Sequence, residues 1–113
     1  MSLPAIGIEC HEKETQLDNL YAGSKTTEVQ KENLEIQLRE NPNNIPIRIR
    51  LAGYYLYGKM LKEDGREKFE THALRIMEEC NDSYISNYVF TYFDETLSSE
   101  NYKLALKIKS RAR

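Results

Sequence analysis

Apolar positions recur along this chain at helical rather than strand spacing. The strongest run is Ile45 to Met60, in which Ile47, Leu51, Tyr54, Tyr55 and Gly58 fall on one helical stripe. Ile49, Ala52, Leu56 and Met60 occupy much of the remaining circumference, so this helix is expected to sit between neighbours at the centre of the fold. Pro42 stops whatever precedes it, Asn43 or Asn44 can cap the new helix, and Pro46 falls in the first turn, where its missing donor costs nothing. Gly53 inside the run costs roughly 1 kcal/mol relative to Ala, which close approach of another helix would justify. Gly65 is read as the left-handed residue that turns the chain back. A second helix from Lys68 to Cys80 carries Phe69, Ala73, Ile76, Met77 and Cys80 on one face. Arg66, Lys68, Glu70, Arg75, Glu78 and Glu79 are left largely for solvent.

Four further helices flank this hairpin. Leu17, Leu20 and Tyr21 mark one from about Glu12 to Ala22, closed by Gly23. Thr27 and Gln30 form a capping box for the next, which runs to Glu40. Its Val29, Leu34, Ile36 and Leu38 lie on two opposed sides, again the pattern of a helix between neighbours. After Asp82 or Ser83 as cap, Tyr84, Ile85, Tyr88, Val89, Tyr92 and Phe93 repeat in adjacent pairs every four residues. Leu97-Ser98-Ser99 ends that segment, and a last helix runs from about Glu100 onward. The expectation is an all-α array or bundle of about six helices in a single domain, residues 1–113.

The spacing of the central hairpin resembles a tetratricopeptide repeat. Pro42-Asn43-Asn44, then Leu51-Ala52 and Tyr55, then Ala73-Leu74 stand where such a repeat places its turn, its first-helix spacers and its second-helix packing residues. Asn101-Tyr102-Lys103-Leu104-Ala105 is similar to the start of a repeat's second helix, so the likeness spans about residues 42–112. Arg48 departs from it, standing where the family prefers a large aromatic, and Ala52 replaces the usual Gly. The resemblance implies stacked helix pairs and protein binding in a groove, and carries over no catalytic residue. Because solenoids need about three repeats or more, a compact bundle docking on one partner is expected.

Composition narrows the function. With 113 residues, 30% charged and 40% hydrophobic, the chain suits one globular domain, and its formal net charge of −2 argues against a general nucleic-acid binder. The opening residues, 1–11, lack the basic start and long apolar stretch of a secretory signal. They are either foreign to the fold or a strap lying over the helices. Two cysteines, Cys10 and Cys80, are too few for a disulfide framework, and both are expected reduced in a cytoplasmic protein. Asn81-Asp82-Ser83 fits a glycosylation acceptor, which has no meaning without export.

Charge is segregated near the end of the chain. Between Ile76 and Tyr102 stand Glu78, Glu79, Asp82, Asp94, Glu95 and Glu100 with no Lys or Arg. Tyr84, Tyr88 and Tyr92 share that stretch, and the predicted partner-binding surface is Glu78, Glu79, Asp82, Tyr84, Tyr88, Tyr92, Asp94 and Glu95. Carboxylates would steer encounter and tyrosines would supply contact area at low entropic cost. The bland alternative makes the aromatics core and the acids a solvated rim. Lys103, Lys107, Lys109, Arg111 and Arg113 follow without an acid, which suits a helix C-terminus or, in the alternative reading, a polyanion site on nucleic acid or an anionic surface.

Chemistry is otherwise sparse. Cys10, His11, His72 and Cys80 are the only soft ligands and lack metal-binding spacing. Adjacent acid pairs point to different helix sides, and the five glycines stand singly, so neither an acid/base dyad nor a phosphate loop is indicated. The sequence therefore predicts a non-enzymatic protein-binding module without metal or cofactor. Its most concrete form is an inhibitor or immunity-type protein that neutralises a basic partner such as a nuclease toxin. Homodimerisation through surplus apolar faces is compatible with that reading, and no stretch approaches a membrane span.

Overall fold

Asn44 starts the central helix as its sequence suggests, its Oδ1 accepting the Ile47 N–H at 3.2 Å with Pro46 in the first turn. The computed structural model describes Cys10 and residues 13–62, 64–81 and 83–111. Among these residues lie six helices and no strand: α1 (Lys13–Gly23), α2 (Glu28–Glu40), α3 (Ile45–Gly58), α4 (Gly65–Glu79), α5 (Tyr84–Phe90) and α6 (Ser99–Ser110). The all-α architecture is thus the observed one. Helix α3 packs against α1, α2 and α4, and α4 in turn carries α5 and α6. Ile45, Ile49, Ala52 and Tyr55 of α3 meet Phe69, Ala73, Ile76 and Met77 of α4 in the core, which Ile85, Val89, Ala105 and Ile108 extend. Burial of a side chain such as Phe69, fully enclosed, contributes about 2–3 kcal/mol.

Two glycines bring α1 against α3. A Cβ on Gly53 would strike the Leu20 carbonyl, and one on Gly23 would strike the Tyr54 backbone nitrogen, so each helix offers its bare backbone to the other. Close approach, the expected reason for Gly53, is the observed one. It also displaces α2. That helix does begin with a full capping box, Gln30 N–H to Thr27 Oγ1 at 3.2 Å and Thr27 N–H to Gln30 Oε1 at 2.9 Å. It does not lie between neighbours, however, because α1 already covers α3. Only Leu38 of α2 is buried, and Val29 and Ile36 face outward.

The structure corrects four other expectations. Gly65 is not a left-handed hinge but the first residue of α4, required because a Cβ there would meet the Lys59 carbonyl; the reversal is made by the Lys62 N–H to Lys59 carbonyl turn at 2.9 Å. Helix α5 stops at Phe90, short of Phe93, since Thr91, Tyr92 and Phe93 tighten into bonds three residues back, to Tyr88, Val89 and Phe90. Glu70 is buried instead of solvated, its Oε1 accepting Asn101 Nδ2 at 2.8 Å and its Oε2 lying 3.5 Å from Arg66 Nη1. Cys10 and Cys80 are not free thiols: a disulfide joins them across 70 positions, with Cα atoms 5.3 Å apart. Cys80 caps α4, and only the folded chain brings Cys10 beside it, so their separation in sequence concealed the pair. Of the segment 1–11 expected as a strap, all but Cys10 lies outside the described residues.

Candidate protein-docking face

The adjacent pairs of α5 divide between core and surface. Ile85, Val89 and, just past the helix, Phe93 are buried; of Tyr84, Tyr88 and Tyr92, four residues apart, Tyr84 is exposed, while Tyr88 and, past the helix end, Tyr92 are partly buried against the core, Tyr92 meeting the Phe69 ring edge to face. The Tyr84 and Tyr88 rings stack at 6.0 Å between centroids, and Tyr88 meets Tyr92 edge to face at 5.6 Å. The Tyr92 hydroxyl donates to the Tyr88 hydroxyl at 3.2 Å. Helices α1 and α3 add Tyr21 and Tyr57, whose rings stack at 5.6 Å, with the Tyr57 hydroxyl beside that of Tyr88. The Lys13 ammonium sits 4.5 Å above the Tyr84 ring.

Five tyrosines, four on three helices and Tyr92 just past α5, thus make one array, in which Tyr21 is 55% and Tyr84 is 45% exposed. Two of the hydroxyls, those of Tyr57 and Tyr92, are held toward the protonated form. The Tyr88 hydroxyl and then burial push Tyr92 up to about 12. Burial first, and then the same Tyr88 hydroxyl, raises Tyr57 as well. Tyr21, Tyr57 and Tyr84 are exposed while Tyr88 and Tyr92 are partly buried against the core, so the array combines accessible rings with a fixed base, a composition suited to protein contact.

The acidic members of the predicted surface are placed differently from one another. Glu95 is exposed just beyond Tyr92. Asp94 is committed to the turn, its Oδ1 accepting the N–H of Thr96 at 2.8 Å and of Leu97 at 3.2 Å. Glu79 Oε2 accepts from Arg75 Nε at 2.8 Å, and exposed Glu78 lines a cavity beside Arg75. Asp82 lies outside the described residues. Sequence reading missed Tyr21 and Tyr57 as members of the array; Tyr57 falls outside the apolar stripe of its helix, whereas Tyr21 follows Leu17 and Leu20 at helical spacing and carries no such signal.

The basic tail residues also separate. Lys109 turns toward α5, donating to Asn87 Oδ1 at 2.8 Å and lying 5.3 Å over the Phe90 ring. Lys107 and Arg111 reach instead the cavity lined by Arg48 and Arg75. Lys103 is exposed, and Arg113 lies outside the described residues.

Arg48 is the other polar feature that the sequence did not announce. Buried on α3, it donates from Nη2 to the Pro42 carbonyl at 3.0 Å, and its Nη1 lies 3.3 Å from His72 Nδ1 on α4. Guanidinium can only donate, so Nδ1 accepts and His72 carries its proton on Nε2. Burial first and Arg48 second lower the His72 pKa to about 4. Tyr55 stacks on His72 with centroids 6.1 Å apart and donates to Glu35 Oε2 at 2.7 Å. Burial, followed by that hydrogen bond, raises its phenol above the ordinary range.

Among the described residues no three His, Cys, Asp or Glu side chains are grouped to share a metal ion, and no helix is long and apolar enough to cross a membrane. Comparison with protein-family models, curated proteins and solved structures finds no match for the chain.

Proposed function

We propose that this chain is a non-enzymatic protein-binding module whose docking face is the array of Tyr21, Tyr57, Tyr84, Tyr88 and Tyr92. The observation that carries the reading is the continuity of these rings across three helices. Tyrosine gives a large amphipathic contact with few rotamers to freeze, and half-exposed rings already held against one another lose little more on docking. A basic partner is favoured by the chain's net charge of −2 and by Glu95 at the end of the array. In its most specific form the module is an inhibitor or immunity-type protein that covers a cationic surface such as a nuclease cleft. The tetratricopeptide-like reading of residues 42–112 is supported by the packing of consecutive helices α3 and α4. An oxidising compartment suits the Cys10–Cys80 bond better than the cytoplasm, where thiol reductants prevail.

The test compares the immobilised native chain with its Tyr57→Ser/Tyr88→Ser variant in lysate of the native source at low salt. A stoichiometric basic protein retained by the first and lost by the second supports the reading. Identical retention on both overturns it. Glu95→Lys probes the electrostatic part, because Glu95, unlike Asp94, makes no turn bond that the substitution would remove. A partner whose affinity for Glu95→Lys is unchanged at low salt is not steered by charge.

A further inference from the structure

Arg48 is a cation 7% exposed, yet among the described residues no carboxylate lies in ion-pair contact with it. Its Nη atoms face the neutral His72 ring and the Pro42 carbonyl, and its buried Nε has no hydrogen-bond partner. Buried guanidinium groups ordinarily meet a carboxylate or another anion, because an uncompensated charge is costly to remove from water. Three more cations flank Arg48 in a cavity that does not include His72 or Pro42, which share a second cavity with it. Arg75 of α4 and Lys107 and Arg111 at the end of α6 line, with Arg48, one cavity of about 300 Å³. Among the described residues four cations there face two carboxylates, Glu78 on the cavity wall and Glu79 on Arg75, which leaves a surplus of two positive charges.

The geometry points to a binding site for a small phosphate monoester in this cavity, with Arg48 at its base and Arg75, Lys107 and Arg111 closing over the phosphoryl oxygens. A phosphate dianion matches the surplus charge, and its several acceptor oxygens suit donors that arrive from three helices. The remaining wall is mostly apolar, formed by Leu74, Leu104 and Ile108 with Thr71. It gives the organic part of an ester a surface to lie on, in a volume at the small end of small-molecule sites. Burial first and Arg75 second disfavour the charged form of Arg48, with Glu79 opposing them, and a bound dianion would favour that form. The site is independent of the tyrosine array and stands or falls separately from it.

Titration of the full chain at low salt, followed by side-chain and backbone NMR, tests the assignment with two probes, inorganic phosphate and adenosine monophosphate. Saturable shifts at Arg48, Arg75, Lys107 and Arg111 are expected with at least one of them. Tighter binding of the nucleotide identifies an esterified ligand, whereas inorganic phosphate binding as tightly shows that the site takes free phosphate and overturns the ester. Lys107→Gln with Arg111→Gln, both at exposed positions, should weaken binding about tenfold or more while leaving the fold intact. No saturable shift at these residues, or equal affinity in the double variant, overturns the proposal. So does duplex DNA that binds the chain and is not displaced by either probe. Arg48→Met should abolish binding; should that variant not fold, the Arg48 Nε–H resonance in the native chain gives the same answer, since a ligand at the base of the cavity must move it.

Discussion

Asn101 Nδ2 donates to Glu70 Oε1 at 2.8 Å, joining α6 to the buried face of α4. Glu70 is 1% exposed, and its other anchor, Arg66 on the same helix, stands 3.5 Å away and is partly in water. The carboxylate therefore depends on Asn101 for its one short bond. Truncation by Asn101→Ala leaves a buried acceptor short of a donor and should cost about 2 kcal/mol in urea unfolding. Glu70→Gln keeps an oxygen for Asn101 and should cost less. Equal losses for the two would show that the charge, rather than the bond, holds α6 in place.

Gly53 and Gly58 lie on the same helix but should respond to alanine with opposite signs. Alanine favours a helix interior by about 1 kcal/mol over glycine, yet at position 53 its Cβ would meet the backbone of Leu20, which cannot rotate away. Gly53→Ala is expected to destabilise the fold by about 2 kcal/mol as α1 is forced off α3. At Gly58 nothing stands in the way, so Gly58→Ala should stabilise it by about 0.5 kcal/mol. Thermal unfolding of the two single variants measures both signs, and a stabilised Gly53→Ala would refute the close crossing.

Most of the helices are legible in the sequence because caps and periodicity are local. Thr27 and Gln30, Asn44 with Pro46, and the Phe69–Ala73–Ile76 face each declare themselves within a few residues. What stays hidden depends on partners distant in the chain. Nothing near Cys80 points to Cys10, and nothing near Glu70 points to Asn101. The apolar residues of α2 read as two-sided because the sequence cannot tell that α1, through Gly23 and Gly53, takes the neighbouring place on α3. The tyrosine array is half legible: Tyr84, Tyr88 and Tyr92 recur every four residues, but Tyr21 and Tyr57 join them only through tertiary packing. In the sequence Arg48 stands out only as a departure from the tetratricopeptide pattern, and its cavity forms only when α6 returns to α3 and α4.

Closing 70 residues with one bond restricts the unfolded chain severely. The chain-entropy account gives about 4 kcal/mol for a loop of that length, a large fraction of a small domain's stability. Protein produced under oxidising conditions should show no free thiol after denaturation without reductant, and two after reduction. The Cys10→Ser/Cys80→Ala variant is expected to lose about 3–4 kcal/mol and to unfold at markedly lower temperature. Two free thiols in the unreduced protein would remove the bond from the account of stability.

His72 links the buried Arg48 to acid sensitivity. Its folded pKa of about 4 lies below the 6.5 of an unperturbed imidazole, so between those values the unfolded chain binds a proton that the folded chain refuses. Stability is therefore complete above about pH 6.5 and falls as the pH drops toward 4. Protonation turns Nδ1 from acceptor into donor against the Nη1 of Arg48, with Lys68 adding repulsion and Glu35 opposing it. Partial solvent access limits the loss to on the order of 2 kcal/mol. His72→Asn retains an acceptor for Arg48 but cannot titrate in this range, so its urea midpoint should change less than that of the native chain between pH 7 and pH 4. The same acid dependence in both proteins would place the sensitivity on carboxylates elsewhere and separate His72 from it.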